Sequence, residues 1–458
     1  MSTPHSTAQS TARSAAQSTA NTPLAQRLQQ AMQCQQQGQL DAAQALFQQV
    51  LAEHPQQADA LHLLGVLHAQ RRDFARAHDL IWQAITVNPD EAMFHNNLAN
   101  VCVERGLLHQ AEPLYVRAIE LDNARIDALS NLGLLMSRTD RTQEAETLLA
   151  RAVELDPTNP DWRQNLANLY LRLGRVTEAL QLTHDGLITA PRSRVLRAML
   201  AQSYIMLAQR DLAAGVLRAW IQSDPDDPYP HHHLPACTGE QVPERASDRY
   251  VASVFDGFAR SFDAKLAQLS YRAPALVAAE VARRCGPPDG TLKVLDAGCG
   301  TGLCGPLLAP FASQLDGVDL SEGMLRLAVE RQLYAGLFQG ELVAYLQAFP
   351  AAFDLVASAD TLCYFGKLDG FAAAVASALR PAGWLVFTAE ALADETPESS
   401  YQLKEHGRYS HSRHYLLSAL QAAGLTDIDT QAVILRNEGG VPVDGWLVSA
   451  RSAGHRRL

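Results

Sequence analysis

The residues of this chain best suited to chemistry lie in the run Val294-Leu295-Asp296-Ala297-Gly298-Cys299-Gly300-Thr301-Gly302. An apolar strand there ends in an acid and opens into a loop with glycine at every second position. After the first strand of a doubly wound sheet, such a loop lets backbone approach a ligand closely. A second acid, Asp319, closes the apolar stretch 315–320, where a carboxylate can grip the hydroxyls of a ribose. The glycine rhythm narrows the ligand. G-x-G-x-x-G sets a helix N-terminus against pyrophosphate. Here the spacing is G-x-G-x-G behind Asp296, whose charge repels phosphate and suits the cationic end of an amino acid.

The elements that must position these residues follow from the pattern after Tyr250. Apolar strands and helices alternate there, as in a parallel sheet covered by helices. Strands are expected at 292–297, 315–320, 336–339, 353–359, 384–389, 428–436 and 445–450, with helices at 322–332, 371–379 and 411–423 among those filling the gaps. The last two strands are separated by Asn437-Glu438-Gly439-Gly440, too short for a helix, so they form a terminal antiparallel hairpin.

The glycine loop, the second-strand acid, the strand Phe353-Asp354-Leu355-Val356 and the turn Leu379-Arg380-Pro381 together resemble the class I S-adenosylmethionine-dependent methyltransferases, from Tyr250 to about Ser452. The resemblance implies S-adenosyl-L-methionine as cofactor. By it, Asp296, Gly298, Gly300 and Gly302 wrap the methionine part, with Asp296 holding the ammonium indirectly, and Asp319 takes both ribose hydroxyls. Leu320 and Met324 pack near the adenine. Gly340-Glu341-Leu342 stands where the family often has Gly-Asp-Leu, whose acid meets the adenine amino group. Ala359 and Asp360 border the reactive methyl, and Asp354 and Gly383 are structural. The helix bearing Phe255, Phe258 and Phe262 resembles one that lids the cofactor. Its i, i+3, i+7 spacing also suits plain packing, and Phe258 and Phe262 are the lid candidates.

Methyl transfer from a sulfonium needs alignment above all, and a base only when the nucleophile carries a proton. Asp360 and Tyr364 after the fourth strand are the candidate catalytic residues, Asp360 to orient an amine or take a proton, Tyr364 to hydrogen-bond substrate or pack against the sheet. Glu390 and the segment 405–411 add polar groups. His406 or His411 could serve as base or be ordinary surface histidines, and Arg408 would suit an anionic substrate group. Ala359-Asp360-Thr361-Leu362 stands in place of an Asn-Pro-Pro-Tyr tetrad, which argues against the families that methylate amides and exocyclic amines. His231, His232 and His233 are consecutive, point in different directions on a helix, and read as a solvated run. No metal site is expected.

The first half repeats every 34 residues. Pro55, Pro89, Pro157, Pro191 and Pro225 keep that beat, as do Gly65, Ala99, Gly133, Ala167 and Ala201. This is the signature of tetratricopeptide repeats, whose small residues let paired helices approach and whose stacking makes a groove. Asparagine, a mediocre helix former, recurs at one position of three successive repeats, as Asn97, Asn131 and Asn165. A primary amide can donate to and accept from a peptide group at once, and the series resembles the asparagine ladder of protein O-GlcNAc transferases. It either captures an extended peptide or stiffens the superhelix by bonds between repeats.

The expected architecture is multidomain: an all-α repeat superhelix followed by an α/β doubly wound, Rossmann-like domain with a C-terminal hairpin. Its parts are a disordered leader over 1–23, six repeats over 24–227, a proline-rich linker over 228–248, the methyltransferase domain over 249–452 and a tail over 453–458. A net charge of −11 argues against nucleic-acid partners. No apolar run reaches membrane-spanning length, and scattered cysteines suit a reducing cytoplasm. Three functions fit. The chain is a methyltransferase acting on an unidentified acceptor, with repeats that recruit a protein or peptide. Alternatively it is an inert or cofactor-sensing interaction scaffold, or a small-molecule O- or N-methyltransferase whose repeats serve assembly.

Overall fold

The computed structural model describes residues 23–393, 396 and 399–453. The expected leader, its last residue apart, and the expected tail beyond 453 lie outside the described residues. The chain divides into two compact units after Met199, within the helix Arg194–Met206.

The first unit is all-helical. Helices of 13 residues (Ala58–Gln70, Ala92–Glu104, Ile126–Arg138, Pro160–Arg172) alternate with helices of 14 (Phe74–Val87, Leu108–Leu121, Thr142–Leu155, Val176–Thr189). The small residues on the 34-residue beat sit where partners touch. A Cβ on Gly65 would lie 2.6 Å from Ile81 Cγ1, and one on Gly133 would lie 2.8 Å from Leu149 Cγ. After three of the repeat prolines a donor six residues on bonds the proline carbonyl: His95 Nε2 to Pro89 O at 2.8 Å, the Arg163 guanidinium to Pro157 O, and Arg197 Nε to Pro191 O at 2.9 Å. These bonds satisfy a carbonyl left over at a helix junction.

The second unit opens with helices Arg210–Ser223 and Pro228–Thr238. Residues read from composition as a linker therefore include a helix. Pro228 occupies its first turn, where a missing N–H costs nothing, and the Asp227 side chain caps it by accepting from Tyr229 N at 3.0 Å. Its first residue follows Arg194 by one repeat length, and His231 Nε2 bonds Pro225 O at 2.8 Å, continuing the proline-carbonyl pattern. The reading of the three histidines as a solvated run is corrected for two of them. His231 is exposed, but His232 and His233 are buried, stacked against Tyr250 and Tyr229 respectively. His232 Nε2 donates to Gly407 O at 2.8 Å, and burial holds both imidazoles below their usual pKa.

A nine-stranded sheet fills the rest: β1 Leu292–Ala297, β2 Ala312–Asp319, β3 Gly336–Gln339, β4 Phe353–Ser358, β5 Leu379–Ala391, β6 Tyr401–Leu403, β7 Tyr409–His411, β8 Leu425–Glu438 and β9 Val441–Ser452. β3, β2, β1, β4 and β5 lie side by side in that order and parallel. The order reverses at β1, so the crevice for a ligand opens beyond the carboxyl ends of β1 and β4. β8 and β9 form the expected hairpin, turning at Gly439 and Gly440 with φ of 57° and 82° and adding to β5 antiparallel. The β6–β7 hairpin was not expected. Its strands have three residues each, too few for a periodic signal, and pairing beside β5 plus the buried Tyr409, whose hydroxyl donates to Pro243 O at 2.8 Å, holds them. No helix among the described residues is long and apolar enough to cross a membrane.

Candidate active site

A cavity of about 290 Å³ opens at the switch point. Gly298, Gly300 and Gly302 adopt φ of 76°, 53° and 81°, a conformation costly for other residues. They serve different needs. A Cβ on Gly298 would collide with the Thr361 side chain, whereas a Cβ on Gly300 would meet nothing nearer than Phe262 at 3.9 Å, because cavity lies in front of it. Gly300 N donates to Asp319 Oδ2 at 2.9 Å and Ser321 N to Oδ1 at 2.9 Å, which aims the carboxylate at the end of β2. Asp296, at the end of β1, is buried and accepts from Tyr334 Oη at 2.7 Å. Burial pushes its pKa up to about 7 against the pull of that hydrogen bond. Asp296 and Gly302 lie behind the cavity lining, so the Asp296 charge reaches a cation only through the loop, while the fixed Asp319 carboxylate and the open face of Gly300 fit an amino-acid-bearing nucleoside.

Leu320, Gly340, Glu341 and Ala359 also line the cavity, but Met324 does not: it is fully buried behind the loop, its N–H bonded to Ser321 Oγ. Glu341 is engaged as a helix cap, accepting from Val343 N at 3.0 Å and Ala344 N at 2.8 Å. Phe255, Phe258 and Phe262 all line the cavity while packing on one another at 5.5–5.9 Å, so lid and packing roles coincide. Their segment is tied down by two acids. Asp256 accepts from Ser321 Oγ at 2.5 Å and Gly323 N at 3.0 Å; Asp263 accepts from Thr301 Oγ1 at 2.5 Å and Arg331 at 2.6 Å.

Opposite the glycine loop stands a wall of buried charge. Arg436, 5% exposed, donates to Asp360 at 2.6 Å, to Glu438 at 2.7 Å and to Glu390; Arg408 donates to Glu390 at 2.6 Å and Glu438 at 2.8 Å. Asp360 has φ of 53° and also accepts from Thr388 Oγ1 at 3.0 Å. Desolvation raises its pKa against the opposing pull of Arg436. Tyr364 lines the cavity edge-on to Phe255 at 5.4 Å. Arg408, expected to greet an anionic substrate, has its guanidinium taken by two carboxylates. His411 is no surface base: it is fully buried, bonded to Gly366 O at 3.0 Å, with burial lowering its pKa to about 4. His406 is partly exposed, its Nε2 3.9 Å from Glu390.

Comparison with known proteins agrees with this geometry. A methyltransferase-domain family matches residues 268–430, and a tetratricopeptide-repeat family matches 35–101 and 139–199. A ubiquinone biosynthesis O-methyltransferase of Idiomarina loihiensis is 30% identical over 180 residues, 35% of this chain and 70% of that protein. The chain belongs to the class I methyltransferases, joined to tetratricopeptide repeats. A second such O-methyltransferase, from Thiobacillus denitrificans, is 34% identical over 100 residues, 21% of this chain, and the chain spans 43% of its length. On the repeat side, a thermophilic TPR protein of Thermus thermophilus shares 26% identity at a TM-score of 0.35, covering 40% of this chain and 99% of that one.

In the repeat unit each asparagine of the series donates to a neighbouring repeat. Asn97 Nδ2 donates to His62 at 2.8 Å, Asn131 to Asn96 Oδ1 at 3.2 Å and Asn100 Oδ1 at 3.1 Å, and Asn165 to Ser130 Oγ at 2.9 Å. Such bonds are what the stiffening alternative expects. Sequence reasoning missed Tyr334, Arg436 and Glu438. A signal existed for one: Arg436 directly follows the apolar run Val433-Ile434-Leu435 in the same expected strand, and a charge inside a strand asks for partners.

Proposed function

We propose that this methyltransferase uses S-adenosyl-L-methionine and that its repeats recruit the protein that is, or carries, the methyl acceptor. The observation that carries the cofactor reading is the Asp319 carboxylate, fixed by Gly300 N and Ser321 N at the mouth of a cavity faced by left-handed glycines. In this reading Asp319 takes the ribose hydroxyls, Asp296 supplies negative charge toward the ammonium through the loop, and Leu320, Gly340 and Glu341 border the base. A bound sulfonium supplies an electrophilic methyl. The chain's part is to hold the acceptor in line with it and exclude water, and such alignment supplies on the order of 7–11 kcal/mol.

The test is calorimetric titration of the full chain with S-adenosylmethionine and S-adenosylhomocysteine, beside Asp319→Ala. Micromolar binding that disappears in the variant is expected. Absence of binding to both ligands in the unmodified protein would put the inert scaffold first.

A further inference from the structure

Two cavities of the second unit share a wall. The smaller is the chamber of about 290 Å³ described above. The larger, of about 1150 Å³, lies between the β6–β7 hairpin and the start of β9, where the sheet splits: β9 pairs with β5 only from Gly445, opposite Glu390, and its earlier residues pair with β8 alone. Arg408 and Glu438 line both. Pockets for single small ligands run from about 300 Å³ upward. The smaller chamber therefore suits one ligand and leaves little space for the body of a second, which the larger one can hold.

The shared wall is not electrically balanced. Three carboxylates, Asp360, Glu390 and Glu438, face two guanidiniums, Arg408 and Arg436. His406 stands outside this hydrogen-bonded set, its side chain 42% exposed and its Nε2 3.9 Å from Glu390, with its pKa held below the usual value by desolvation and by Arg408. One carboxylate is in excess and takes up either a proton or a cation. During methyl transfer positive charge leaves sulfur and arrives on the acceptor atom. A carboxylate or phenolate acceptor cancels that charge and is itself repelled by the surplus acid. An amine carries the charge forward, toward negative charge already fixed in place.

We propose that the larger cavity is the acceptor vestibule, and that the Arg408–Glu438 wall selects an amine, which arrives as its ammonium. The proposal rests on the cofactor reading given above. The ammonium gives one proton to the surplus carboxylate. The freed nitrogen lone pair forms the new N–C bond, the electron pair of the broken S–C bond stays with sulfur, and the transferred proton leaves through the vestibule to water.

The experiment is calorimetry of the full chain with S-adenosylhomocysteine and with three analogues in which nitrogen replaces sulfur and carries a butyl chain ending in ammonium, hydroxyl or carboxylate. The ammonium chain is expected to bind about tenfold tighter than the hydroxyl chain, and the carboxylate chain about tenfold weaker. Glu438→Gln leaves two carboxylates for two guanidiniums and should shrink the ammonium preference to about twofold or less. Gln402→Trp, at an exposed β6 position that lines the vestibule and not the cofactor chamber, narrows the vestibule; it should weaken all three chain analogues and leave S-adenosylhomocysteine unaffected. Equal or tighter binding of the carboxylate chain overturns the amine assignment. Chain analogues indifferent to Gln402→Trp overturn the route. Loss of S-adenosylhomocysteine binding in the unmodified protein instead removes the cofactor reading on which both rest.

Discussion

The repeat unit and the sheet unit organise their polar groups in opposite ways. In the repeats, bonds recur at one sequence separation: Asn97 to His62, Asn131 to Asn96, Asn165 to Ser130 and Arg172 to Ser137 are each 35 residues apart. In the sheet unit the wall draws together residues separated by 18, 30, 46 and 76 positions. The first arrangement spreads its energy over many similar joints. The second concentrates it, so that one side chain, Arg436, holds three carboxylates. Single substitutions should therefore act very unequally in the two units.

The largest effect is expected at Arg436. Arg436→Met keeps volume but leaves Asp360, Glu390 and Glu438 with one guanidinium among them, in a site where Glu390 is 4% exposed. Breaking a buried pair in this way costs about 3–5 kcal/mol, read as a lowered urea midpoint. A loss below about 1 kcal/mol would mean that the cluster behaves like a surface network, and the contrast between the units would fail.

Next comes Asp319. Two backbone N–H groups orient its carboxylate, and charge-assisted bonds to hydroxyls are worth about 1.5–3 kcal/mol each. Asp319→Ala should reduce S-adenosylhomocysteine affinity by about a hundredfold or more, with little change in the unfolding midpoint. A change in stability without a change in affinity would mark Asp319 as an organiser of the loop alone.

Asp296 gives a smaller, pH-dependent effect with a definite sign. Its folded pKa of about 7 stands above the unfolded value of about 3.9. In the ligand-free protein this contributes stability that is full at low pH and is lost as pH rises toward 7. Binding of a cation favours the ionised form, so affinity for S-adenosylhomocysteine should increase with pH up to about 7 and then level, with proton release on binding below that point. Asp296→Asn keeps the partner of Tyr334 and should give weaker, pH-independent binding. A wild-type affinity that is flat between about pH 5 and 8 contradicts the role given to this carboxylate.

The same contrast explains what was legible beforehand. The cofactor loop and Asp319 could be read because backbone conformation demands glycine at particular positions and one acid ends each strand. The repeats could be read because their beat is local. The wall could not: Asp360, Glu390, Arg408 and the β8 pair Arg436 and Glu438 come from four segments, and their meeting depends on β7 and β9 both pairing with β5 while β8 lies beyond β9, which no local pattern encodes. The helix Pro228–Thr238 was obscured differently. Its prolines outweighed a 34-residue register that His231 continues, and burial of His232 and His233 depends on Tyr250 and Gly407, both distant in sequence. Glu341 and Met324 show a third limit, since a matching position in a motif says nothing of whether the side chain is used to cap a helix or fill the core.

The smallest effects belong to the asparagines, and they decide what the ladder is for. Asn131 makes two donor bonds to the preceding repeat, so Asn131→Ala should cost about 1–2 kcal/mol in the unfolding of the repeat unit. Asn165→Ala, with one such bond to Ser130, should cost about half of that. This ordering follows from inter-repeat bonding and has no reason to hold for peptide capture, in which each amide would serve one stretch of ligand backbone. The triple change of Asn97, Asn131 and Asn165 to alanine separates the two roles. If stability falls in that order while partner capture by the folded variant is retained, the ladder stiffens the array and the groove recognises partners through other residues. If capture is lost at a temperature where the variant remains fully folded, half-buried amides serve both neighbour and ligand, and the repeat unit concentrates function in a few positions after all, as the sheet unit does.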